Sequence, residues 1–204
     1  MAIKVSESAH HLLAILTKMG ELKTNPVLLT LPDPNHIELK HKYYIPAFQT
    51  DNHNFKCFYH CHSYPDRKNT EHGHFHFFTK AKESKKWQHL AALSMNHQGQ
   101  PEQWITVNQW VTDSVWIEQK NLNTLFNELS NYEPENLLHD WIITITILYS
   151  DQLIKLIDQR DQQLSLIKAN TNGSDIISNR NIYQLSSSNI FLAEKLNEHI
   201  SALV

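Results

Sequence analysis

The sequence predicts an α+β fold: an antiparallel sheet or half-barrel of four to five strands over about 37–112, packed by an N-terminal helix and C-terminal helices. Three observations carry that expectation. Segments 56–63 and 72–79 alternate with period 2 and are rich in aromatics, as half-buried strands are. Segments 87–96 and 103–112 read the same way and flank His97-Gln98-Gly99-Gln100-Pro101, a hairpin signal. Beyond residue 120, apolar positions recur at spacings of three and four instead. With 204 residues and 41% hydrophobic content, the chain is read as one domain, 1–204, with room for a sizeable core.

Residues 5–22 form an amphipathic helical pattern whose stripe is Leu12, Leu13, Ile15 and Leu16. Pro26 to Pro34 is a proline-punctuated connection, and Ile37 to Phe48 is expected to be extended. The first hairpin loop, Tyr64-Pro65-Asp66-Arg67-Lys68-Asn69-Thr70, has turn chemistry. Asn121 to Leu129 is a short helix. Pro134 suits the first residue of a long one, which should run to about Lys168 and stop near Asn172-Gly173. Ser174 to Ser187 reads as irregular, and a last amphipathic helix covers about 189–203.

A formal net charge of -3 gives no electrostatic footprint for nucleic acid. The run Lys80, Lys82, Lys85, Lys86 reads first as a solvated turn and second as an anion site. The longest apolar run, Trp141 to Tyr149, is far short of the roughly 20 residues of a membrane span. Cys57 and Cys61 lie four apart on one expected strand, about 13 Å between Cα atoms, which is beyond disulfide reach. Two unpaired thiols fit a cytoplasmic protein. There is no Gly-x-Ser-x-Gly elbow, no His-Glu-x-x-His and no phosphate-cradling glycine loop, which removes several large enzyme classes.

The chemistry concentrates in Phe58-Tyr59-His60-Cys61-His62 and His72-Gly73-His74-Phe75-His76-Phe77-Phe78. All five histidines hold even positions, so on two paired strands without a bulge their imidazoles either share one face or split cleanly by strand. Each buried ring needs hydrogen bonds or a metal. His60, His62, His74 and His76 are therefore the candidate ligands of one divalent transition metal, with zinc or iron ahead of copper or nickel. His72 and Glu71 are the candidate catalytic or supporting groups. Glu71, at a loop–strand junction, suits an acidic ligand, a partner to a histidine, or a general base. Gly73 marks a close backbone approach or a bulge, and a bulge would separate His72 from the later pair. The opposite face, Cys57, Tyr59, Cys61, Phe75 and Phe77, reads as core, while Phe58 and Phe78 wall the histidines. Asn108 and Trp110, on one face of the expected fourth strand, are candidate ligand-binding residues.

These two histidine segments, together with Leu93-Ser94-Met95, Gly99, Pro101, Asn108-Gln109-Trp110-Val111-Thr112, Gln159-Arg160-Asp161 and Leu185-Ser186-Ser187, resemble a family of uncharacterised bacterial proteins of about 200 residues. The resemblance implies a shared site around the two strands and no particular chemistry. The residues themselves lead to a metal-dependent enzyme acting on a small molecule, hydrolytic or oxygen-dependent. The alternative is a metal-free module whose His/Trp pocket holds an anionic or aromatic small molecule. Phe191 to Leu203 is read first as packing on its own core and second as a docking or homodimer face.

Overall fold

Period-2 alternation yields paired strands where the sequence places them. The computed structural model describes residues 2–33, 35–44, 54–61, 70–80, 86–170 and 176–200. A long helix, α1 (Ala2–Glu21), and a single turn, α2 (Pro26–Thr30), precede the sheet. The strands that follow are β1 (Tyr43–Tyr44), β2 (Phe55–His60), β3 (Glu71–Thr79), β4 (Gln88–Asn96) and β5 (Pro101–Val107). After a helical turn, α3 (Gln109–Thr112), come β6 (Val115–Trp116) and the helices α4 (Leu122–Leu129), α5 (Leu137–Leu148) and α6 (Ser150–Asn170). β7 (Gln184–Asn189) and α7 (Leu192–Ile200) complete the described chain.

The result is α+β, as expected. The sheet runs β1-β2-β3-β4-β5-β7 with antiparallel neighbours, and β6 lies parallel to β4 at Gln88 and His89. One face carries Phe55, Cys57, Tyr59, Phe75, Phe77, Leu93 and Trp104 into a core shared with Leu12 and Ile15 of α1, Trp141 and Ile145 of α5, and Leu153 and Ile157 of α6. Phe75 meets Trp141 with ring centroids 5.6 Å apart. Both thiols are buried on this face and form no disulfide with each other, as the spacing predicts. No described helix is long and apolar enough to cross a membrane.

Four expectations change. The fourth strand ends at Val107, because the Asn108 side chain accepts from Gln109 N at 2.7 Å and starts a helical turn where strand was expected to Thr112. The connection after Asn25 is likewise helical: Asn25 caps Leu28 N at 2.9 Å, ahead of Pro26. The long helix begins at Leu137 rather than Pro134, because Asn136 accepts from both Leu138 N and His139 N. It also breaks at Tyr149. The β-branched run before the break favours no long uninterrupted helix, and α5 must bury almost every residue while α6 lies across β7. Finally, Ser174–Ser187 is not wholly irregular, since β7 pairs with β5 from Gln184 onward. Side-chain hydrogen bonds take the place of apolar burial there: Ser186 meets Thr106 Oγ1 at 2.6 Å and donates to Leu156 O at 2.9 Å. His62, Lys82, Lys85, most of the first hairpin loop, Asn172-Gly173 and the chain beyond residue 200 lie outside the described residues.

Candidate metal centre

The β2–β3 register sets His60 opposite His74 and Phe58 opposite His76. That places three imidazoles on the face turned away from the helical core. Ring centroids lie 4.5 Å apart for His60 and His74, 4.7 Å for His74 and His76, and 4.9 Å for His60 and His76. One coordinating nitrogen of each lies within 4.8 Å of the other two. In a tetrahedral site with bonds of about 2.0–2.1 Å the nitrogens stand about 3.4 Å apart, so the rings need to draw in by about 1.4 Å at most. His74 and His76 are buried and His60 half-buried. Phe58 stacks along them, 5.7 Å from His60 and 5.1 Å from His76, with Phe78 beyond it at 5.4 Å. The two phenylalanines wall the site as the alternation predicts.

Two irregularities in the β3–β4 ladder decide what else approaches the imidazoles. The first falls between Glu71 and Gly73. It turns Glu71 onto the histidine face, where Oε1 sits 2.6 Å from His74 Nδ1. It turns His72 the other way, so that His72 Nδ1 meets the buried Tyr59 hydroxyl at 2.6 Å. Gly73 permits this crossing: a Cβ there would stand 2.6 Å from His60 O and 2.7 Å from Tyr59 Oη.

The second irregularity falls after Phe77. Phe77 pairs with Ala91 but Phe78 with His89, so Leu90 is passed over and His89 joins the histidine face. His89 Nε2 lies 3.0 Å from His76 Nδ1. Burial first, then the charges of His74 and Arg160, pull the His89 pKa down to about 3, so this ring is neutral.

The carboxylate contact specifies a tautomer. A carboxylate only accepts, so the 2.6 Å contact makes His74 the Nδ1–H donor and leaves Nε2 as its basic nitrogen. The neutral His89 does the same for His76 in its Nδ1–H tautomer, in which Nε2 accepts. Histidines whose Nδ1–H is held in this way present Nε2 to a metal. The face opens into a cleft of about 320 Å³ lined by Lys40, Lys42, Phe58, His60, His76, Val111 and Thr112.

Of the residues singled out by sequence, His60, His74, His76 and Glu71 come together, His72 does not join them, and His62 lies outside the described residues. Asn108 and Trp110 bind backbone instead of lining this cleft. Asn108 Nδ2 donates to Ile176 O at 2.8 Å and Ile182 O at 3.1 Å, and Trp110 Nε1 donates to Ile182 O at 2.9 Å. They fasten the approach to β7, and their neighbours Val111 and Thr112 reach the cleft. His89 was not separable from the scattered histidines by sequence. Strand parity sets it opposite Ala92 and Ser94, and only the register break reverses that.

The chain belongs to the family described as a domain of unknown function (DUF6969), whose profile matches residues 6–190. That agrees with the resemblance to an uncharacterised family of about 200 residues. No curated protein and no solved structure matches the chain.

Proposed function

We propose that this protein holds one divalent transition metal on His60, His74 and His76 and uses it to act on a small molecule entering from the adjoining cleft. One observation carries the reading: three imidazole nitrogens lie within 4.8 Å of one another, and Glu71 and His89 hold two of the rings by Nδ1. Structural sites close the coordination sphere with four protein ligands, whereas catalytic sites keep three and leave a position for water or substrate. Among the described residues three ligands stand beside a cleft, which fits the second kind.

Zinc or iron suits the donor set best, with copper and nickel also compatible with imidazole. Glu71 is engaged by His74, so the three ligands are neutral and the metal keeps its full charge. Such an ion lowers the pKa of a bound water to about 7, which favours hydrolysis over the oxygen-dependent alternative. Glu71 then serves as a positioning residue for His74. Two buried thiols outside any disulfide fit a reducing compartment.

Cobalt(II) titration of the metal-free protein tests the reading. Intense visible ligand-field bands saturating at one equivalent, and lost in His74→Ala, are expected. An octahedral, weakly absorbing spectrum identical in both proteins contradicts it.

A further inference from the structure

We infer that the cleft takes a small organic anion, its acidic group held by Lys40 and Lys42 and its apolar body laid along Phe58 and Val111. This deepens the metal reading and rests on it. The cleft shares His60 and His76 with the proposed metal site, so an occupant lies against two of the three proposed ligands.

Its remaining charged lining is cationic only. Lys40 and Lys42 are exposed, and among the described residues no acidic side chain lines the cleft and neither lysine pairs with a carboxylate. The chain as a whole carries a formal charge of -3, so this wall is a local concentration of positive charge and not the reflection of a basic protein.

The two lysines are also placed. Lys42 Nζ stands 5.2 Å over the Phe58 ring, which itself stacks on His60 and His76. Lys40 adopts φ 64°, a left-handed backbone that side-chain-bearing residues rarely take, and its N–H donates to Cys61 O at 2.8 Å. That bond ties the connection before β1 to the end of the ligand strand β2. Further along the same face Lys56 stacks on Phe78 and, with Lys80, on Trp87, extending the positive rim.

Charge alone would suit a polyanion, but the cleft's volume of about 320 Å³ lies at the low end for small-ligand pockets, roughly 300–1,000 Å³. Phe58 and Val111 give an apolar body something to cover. Ammonium point charges accept phosphate and carboxylate alike, so the acidic group is one or the other.

The test compares wild type with the Lys40→Gln/Lys42→Gln and Lys40→Arg/Lys42→Arg variants, each loaded with zinc and assayed for metal content. Calorimetric titration uses phenyl phosphate, benzoate and, as the uncharged control, benzyl alcohol. At least one anion should bind wild type and the Arg variant and bind the Gln variant at least tenfold more weakly, with equal zinc in all three. The difference should shrink at high salt, and the alcohol should show no such dependence. Which anion binds identifies the acidic group. Equal anion affinity in wild type and the Gln variant, or no anion binding to zinc-loaded wild type, overturns the inference and leaves the metal site standing. If wild type takes up no zinc, the metal reading fails and the anion inference falls with it.

Discussion

Glu71 and His89 touch Nδ1 of His74 and His76 at 2.6 Å and 3.0 Å, and the energetics of the site turn on those two contacts. Losing such a support for a ligating histidine typically costs 10–100-fold in metal affinity. Glu71→Gln should therefore weaken zinc binding by about that factor, measured by competition with a chromophoric chelator, while the far-ultraviolet circular dichroism stays unchanged. Undiminished affinity would remove Glu71 from the account. His89 makes a second prediction, about stability. Its pKa is near 3 in the folded protein against an ordinary value of 6.5, so between those values the unfolded chain binds a proton that the native one refuses. Stability of the metal-free protein thus falls as pH drops from about 6.5 toward 3, by up to about 1.4 kcal/mol per pH unit from this residue. Urea midpoints between pH 7 and 5 should fall less steeply in His89→Gln. Equal slopes would contradict the assignment.

The site belongs to the ladder as much as to its side chains. Gly73 lets β3 pass His60 O and Tyr59 while it exchanges the directions of Glu71 and His72. Gly73→Ala should cost about 1–3 kcal/mol by urea denaturation, since the backbone His60 O and the hydroxyl of the fully buried Tyr59 stand in the way. A neutral substitution would mean that the strands can separate at no cost there. This is also where sequence reasoning reaches its limit. Parity puts the histidines of each strand on one face, and the unbroken β2–β3 register, which the sequence does not reveal, brings His60, His74 and His76 together. Parity cannot place His89 or fix Glu71, because both depend on register breaks in β3–β4. The glycine between two histidines signalled the first break, and nothing signalled the second. β7 escaped because serine hydrogen bonds hold it where apolar alternation was sought, and β5 was read too long because Asn108 serves a turn.

Across the molecule the two faces of one sheet divide the labour. The helical face buries Phe55, Phe75, Phe77, Trp104 and Trp141 in a continuous core, and that rigid support holds the ligand strands from behind. The other face spends its buried volume on imidazoles and phenyl rings, with lysines where it opens to solvent. The α+β class, the long first helix and the core face were legible from periodicity, which reports burial directly. The positions of Lys40, Lys42, Val111 and Thr112 around the cleft were not, because they come from segments distant in sequence that only the tertiary fold brings together. The central claim is that this face holds a metal. It is tested most directly by elemental analysis of untagged protein, purified without chelator or a nickel column, beside a His60→Ala/His74→Ala variant. The account predicts close to one equivalent of one transition metal in the native protein and none in the variant, with both folded by circular dichroism. No metal in the native protein, even after reconstitution with zinc, iron and copper, would contradict it.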